Sequence, residues 1–191
     1  MTGSQTPIVR AAMLLLLVLC FARPVAADIE LFASNPLFES IRAQDLPAVE
    51  AIAVRGGNLE VFDSEERTPI IYAAVVGNSD IVELLIRYRA RIDHRDKHGN
   101  TALFYAAGSG NVDVMEVLLD NAARIDLENR QGLTPLINAA AKGQIAAVQL
   151  LLSRRADPGR RDYTGRTALM WAEWNRRKIV VDMLRKAGVR E

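Results

Sequence analysis

The chain has 191 residues, half of them hydrophobic, with 24 basic and 23 acidic side chains, 2 histidines and 1 cysteine. A net charge of +1 is not the basic excess that holds nucleic acid, and a lone cysteine can form no intramolecular disulfide. The length suffices for one domain whose core needs no metal or disulfide staple.

The first predicted element is an address rather than a part of the fold. Arg10 precedes an apolar run from Ala11 to Ala22. That run is shorter than the roughly 20 residues a bilayer-spanning helix needs, and it fits the core of a secretory signal peptide. Val25-Ala26-Ala27 supplies small residues at the cleavage positions. Residues 1–27 are therefore expected to be removed, leaving a mature chain that starts at Asp28 with a short segment over 28–34 and has no stable membrane insertion. Leu19 is too large for the residue before a lipidated cysteine, so Cys20 is expected to leave with the signal. The mature chain would then carry no thiol to misoxidise in an exporting compartment.

Residues 35–62 anticipate the pattern that follows. Leu37, Ile41, Val49 and Ile52 fall near core positions of the later units, but the threonine and the paired alanines of those units are missing. From there the chain repeats. Thr68, Thr101, Thr134 and Thr167 stand 33 residues apart, followed by Pro-Ile-Ile-Tyr-Ala, Ala-Leu-Phe-Tyr-Ala, Pro-Leu-Ile-Asn-Ala and Ala-Leu-Met-Trp-Ala. Leu85, Leu118, Leu151 and Leu184 keep the same period, as do Ala73, Ala106, Ala139 and Ala172. A fixed period of this size marks a solenoid, whose units bury their apolar faces only against one another. The repeats run over about 63–95, 96–128, 129–161 and 162–191.

Within each unit the residue types prescribe two helices. The threonine can accept a bond from a free first-turn N–H, and proline at the next position loses no helical bond. Gly77, Gly110 and Gly143 stand where a first helix must stop in a left-handed conformation. A second helix follows, with Ile81, Val82 and Leu85 on one face, then Val114, Met115 and Leu118, then Ala147, Val148 and Leu151. Asp63, Asp96, Asn129 and Asp162 open the next turn, where a short side chain can bond its own backbone.

This unit resembles the ankyrin repeat, over roughly residues 35–191. The resemblance implies an all-α solenoid of helix pairs joined by short β-turn connections, with one degenerate and four recognisable units in a single domain. The chain departs from the family pattern in three places. The histidine usual after Thr-Pro-Leu is Ile71, Phe104, Ile137 and Met170. The glycine usual near the end of the second helix is Arg89, Ala122 and Arg155, kept only as Gly188. Glu66 replaces a turn glycine. The last unit has Glu173 and Arg176 where inner units have Ala and Gly, as suits an exposed cap.

The charge runs in a gradient. Residues 28–83 hold 3 basic and 11 acidic side chains, whereas residues 154–191 hold 11 and 5. The basic end, which includes Arg154, Arg155, Arg160, Arg161, Arg166, Arg176, Arg177 and Lys178, is either a solvated cap or a steering surface for an anionic partner.

Signals of catalysis are not found. His94 and His98 flank a turn, where four-residue spacing does not align two metal ligands, and Arg95 and Lys97 repel a cation. Ser109 has no histidine at a matching position to activate it. No metal or cofactor is expected, and no enzyme activity. The resemblance instead implies a module that binds another protein, with its first helices and turns lining a concave side. On that face lie Tyr72, Tyr105, Trp171 and Trp174, with Tyr163 at a turn tip and Arg176 and Arg177 at the end. These are the expected partner-binding residues, because Tyr and Trp anchor interfaces. The tyrosines and Trp171 could equally pack between units.

The chain is expected to be a monomer. Export combined with this resemblance points to a bacterial periplasm. Some small exported bacterial ankyrin proteins of this look assist peroxide-detoxifying enzymes such as catalases, so the resemblance implies an accessory role of that kind. An immunity or inhibitor protein against a periplasm-targeted toxin is the alternative.

Overall fold

The computed structural model describes residues 35–188. The expected signal peptide, its cleavage site, the segment 28–34 and residues 189–191 lie outside the described residues. Among the described residues there are ten helices and no strand. They come in pairs: α1 Pro36–Arg42 with α2 Leu46–Val54, α3 Pro69–Val76 with α4 Ser79–Arg87, and α5 Ala102–Ser109 with α6 Val112–Asp120. Then come α7 Pro135–Lys142 with α8 Ile145–Ser153, and α9 Ala168–Trp174 with α10 Lys178–Lys186. The degenerate first unit folds as a pair like the others, because Leu37, Ile41 and Val49 supply its buried face without the threonine or the alanines.

First helices pack on first helices, and second helices on second helices, in two parallel layers. Ala73, Ala106, Ala139 and Ala172 are fully buried on the inner side of the first layer, where only a small side chain lets neighbouring backbones approach. Leu85, Leu118, Leu151 and Leu184 are fully buried in the second layer. The positions that lack the family histidine carry Ile71, Phe104 and Ile137, all buried, so packing replaces a tether of hydrogen bonds there.

Three threonines cap as expected. Thr101, Thr134 and Thr167 each accept from the N–H three residues on, at 3.2, 3.2 and 3.3 Å. Thr68 does not. Its hydroxyl is buried and finds no partner among the described residues, and nothing in the structure explains why this unit differs.

The left-handed positions are strictly periodic. Every described residue with positive φ occupies one of three places in the 33-residue frame. One closes the first helix and holds Gln44, Gly77, Gly110, Gly143 and Arg176. Another sits in the turn and holds Glu66, Gly99, Gly132 and Gly165. The third closes the second helix and holds Gly56, Arg89, Ala122, Arg155 and Gly188. Just after the third place Ala90, Ala123 and Ala156 donate back five residues to Leu85, Leu118 and Leu151 at 3.0, 2.9 and 2.9 Å. This closure demands the left-handed residue before it whether or not that residue is glycine.

The turns are built alike. One oxygen of Asp63, Asp96, Asn129 and Asp162 accepts from two N–H groups ahead of it, at 2.8–3.0 Å. Successive turn tips are joined by one backbone bond each: Lys97 N to Glu65 O, Arg130 N to His98 O, and Tyr163 N to Gln131 O. Ion pairs also run from unit to unit, among them Arg91–Glu60, Lys97–Glu65, Arg154–Asp120 and Arg160–Glu128. Part of the charge gradient is thus taken up along the stack, where such exposed pairs contribute at most about 1 kcal/mol each.

Candidate partner-binding surface

Four aromatic residues of the first helices point toward the turns, and the structure divides them. Tyr72, Tyr105 and Trp171 are half-buried. Tyr72 packs edge-on to Phe38 of the first unit, with ring centroids 5.4 Å apart. The Tyr105 hydroxyl donates to Asp96 Oδ2 at 2.6 Å and accepts from Asn100 Nδ2 at 3.2 Å. Trp171 Nε1 donates to Asp162 Oδ2 at 2.8 Å. In the units of Tyr105 and Trp171 the ring ties its helix to the second oxygen of the aspartate that shapes its own turn, so burial and bracing account for much of its surface. Burial, then the bond to Asp96, raises the Tyr105 phenol above its ordinary range and keeps it protonated.

Trp174 and Tyr163 are different, each 71% exposed. Trp174 is nevertheless held in place. The Arg166 guanidinium lies 5.1 Å from its ring centroid and 5.2 Å from that of Trp171, between the two indoles. The cation against the ring is Arg166, a turn residue, rather than Arg176 or Arg177 at the end of the stack. Arg177 instead donates to Ala141 O of the preceding unit at 3.3 Å. Arg176 is exposed, in the left-handed position that closes α9. Tyr163 packs over Gly132, where a Cβ would meet its ring carbon at 2.5 Å.

Asp162 is the electrostatic centre of this end. Burial alone would raise its pKa, but bonds from Thr164, the Arg166 backbone and Trp171 outweigh that and lower it from 3.8. The folded state therefore favours the carboxylate. Its stabilising contribution is complete above the unfolded pKa and lost as pH falls through the lower folded value. Acid titration of tryptophan fluorescence should give a midpoint below 3.8, and Asp162→Asn should abolish that transition. A wild-type midpoint at or above the ordinary aspartate value would mean the Trp171 bond is not formed in solution.

The histidines do not converge. His94 lies against Phe62, centroids 5.2 Å apart, and His98 Nε2 is 3.6 Å from Glu65 Oε2. Among the described residues no cluster of three or more His, Cys, Asp or Glu could hold a metal. Ser109 donates to carbonyls of its own helix, Tyr105 O at 2.9 Å and Ala106 O at 3.3 Å.

A family model described as ankyrin repeats (3 copies) matches residues 37–129 and again 121–190. The chain belongs to the ankyrin-repeat family. Its repeats make it a protein–protein interaction module, of a kind that typically carries no catalysis. No protein of curated function matches it. No helix among the described residues of this ankyrin-repeat protein is long and apolar enough to cross a membrane.

Proposed function

We propose that this ankyrin-repeat protein is a non-catalytic binding module of a bacterial periplasm, exported by a signal peptide cleaved before Asp28. It would act as adaptor, chaperone or accessory factor for one protein, an oxidative-stress enzyme such as a catalase being the example we favour. The observation that carries the reading is Trp174: a large ring, mostly exposed, with the Arg166 guanidinium set over it and favouring one orientation. An exposed aromatic held in one orientation loses little entropy when a partner covers it, the usual condition for an interface anchor.

Affinity capture from periplasmic extract, with N-terminal sequencing of the bait, tests partner and address together. Recovery of the intact Met1 form in the cytosol would sink the localisation. A captured catalase-like enzyme supports the accessory role, whereas a captured toxin would move the protein to the immunity reading. With the partner in hand, Trp174→Ala should weaken binding by about 2 kcal/mol, some 30-fold, chiefly through faster release. Reversing Arg176 and Arg177 to Glu should mainly slow association and flatten its salt dependence. Surface plasmon resonance at two salt concentrations separates the two effects. Wild-type release by Trp174→Ala would move the contact to the turn tips around Lys97, Arg130 and Tyr163.

A further inference from the structure

One unit breaks the pattern of rings. Position four after the threonine holds Tyr72, Tyr105 and Trp171 in three units but Asn138 in the third. Asn138 does not reach forward to its own turn. It leans across to α5 and donates from Nδ2 to Phe104 O at 3.0 Å, over Gly108, where a Cβ would meet that nitrogen at 2.3 Å. The turn position held by aspartate in the other units is Asn129 here, and Asn129 turns its Nδ2 to Asn100 Oδ1 at 2.9 Å. Where the flanking units set a ring against their turn aspartate, this unit has a cavity of about 470 Å³ that both asparagines line. That is within the range of small-ligand pockets, roughly 300–1,000 Å³.

The walls have a definite chemistry. Phe104 and Leu133 provide apolar sides, and Asn129 and Asn138 provide amides. Asn138 Oδ1 accepts no hydrogen bond from the described residues. The rim is basic. Arg130 has no acidic partner among the described residues, while Lys97 and His98 share the single carboxylate of Glu65. A half-open cavity with room for an aromatic ring, an unused acceptor on its wall and a surplus of cations at its rim suits an aromatic group that can donate a hydrogen bond and has negative neighbours.

We propose that this cavity receives a tyrosine side chain of a bound protein, flanked in that protein by acidic residues. The guest ring takes the place of the one that Asn138 omits, and its phenol O–H donates to Asn138 Oδ1. This deepens the function proposed above and rests on it, since it names the group the partner inserts.

The probe is the peptide acetyl-Glu-Tyr-Glu-amide, titrated into the isotope-labelled full chain and followed by NMR. Saturable shifts are expected at the Asn129 and Asn138 side-chain amides and the Leu133 methyls. Affinity should be at least tenfold lower for peptides with Ala or Phe in place of Tyr, or Lys in place of Glu. Asn138→Tyr, which supplies the missing ring from within, should abolish binding. Arg130→Glu, at an exposed tip that leaves the core untouched, should weaken it at least fivefold and keeps the test open if Asn138→Tyr misfolds. No saturable shift, equal binding of the Ala peptide, or wild-type binding by Arg130→Glu overturns the proposal. Equal binding of the Phe peptide removes the phenol bond and with it the choice of tyrosine. A captured partner that responds to Trp174→Ala but not to Asn138→Tyr overturns the pocket and leaves the binding module standing. Peptide binding with no protein ever captured counts against the module and not against the pocket.

Discussion

Leu118→Ala should destabilise the domain by about 2–5 kcal/mol. The side chain has no exposed surface and sits at the centre of the second-helix layer, with Leu85 and Leu151 occupying the same place in the adjoining units. Neighbours in a layer clamped by periodic closures cannot collapse into the space left behind, which puts the cost in the upper part of that range. Its carbonyl also accepts the closing bond from Ala123 at 2.9 Å, so a shift of α6 would loosen the cap as well. Urea denaturation followed by circular dichroism reads the change as a lower midpoint at unchanged slope. An unaltered midpoint would mean that the leucine series is not the core. A changed slope would instead show that the stack no longer unfolds as one cooperative unit.

The opposite change is expected from Arg89→Gly, Ala122→Gly and Arg155→Gly combined. All three hold φ near 65° at the same closure of the second helix, where Gly56 and Gly188 serve in the terminal units. A left-handed side chain costs about 1–2 kcal/mol, of which glycine's greater freedom in the unfolded chain returns roughly 0.5–1. A net gain of about 0.5–1 kcal/mol per site remains. The three residues are exposed and belong to different units, so their effects should add to about 2 kcal/mol. For a domain of this size that raises the melting temperature by about 4–8 °C. A triple variant no more stable than the parent would mean that the Arg89 and Arg155 side chains make compensating contacts in solution.

Much of this architecture is written in the sequence because a solenoid repeats each local decision. Thr101, Gly110 and Leu118 recur in step, and one reading of their roles serves every unit. Arg89 and Glu66 stand where the family resemblance places glycine, and both hold positive φ, 65° and 58°. The exceptions lie where a side chain chooses between neighbours. Thr68 carries the capping residue type but not the bond. The Arg166 guanidinium could have gone to solvent or to Asp162, and only the approach of two indoles fixes it between them. Tyr72 meets Phe38 because the degenerate first unit still folds as a helix pair, although it lacks the threonine and paired alanines of the others. The cavity at Asn138 follows from one amide turning toward the preceding unit, a direction that no spacing encodes.

The layered contacts have a kinetic corollary. Each unit touches only the units beside it, so the middle has two supports and each end has one. Opening should begin at the ends and move inward. Amide hydrogens of α3–α8 should therefore exchange with solvent most slowly, and those of α9 and α10 early. Trp174 belongs to that easily opened end, which turns any partner resting on it into a clasp. Occupancy of the indole would slow exchange through the last pair of helices and stabilise the whole array in proportion to the logarithm of partner concentration.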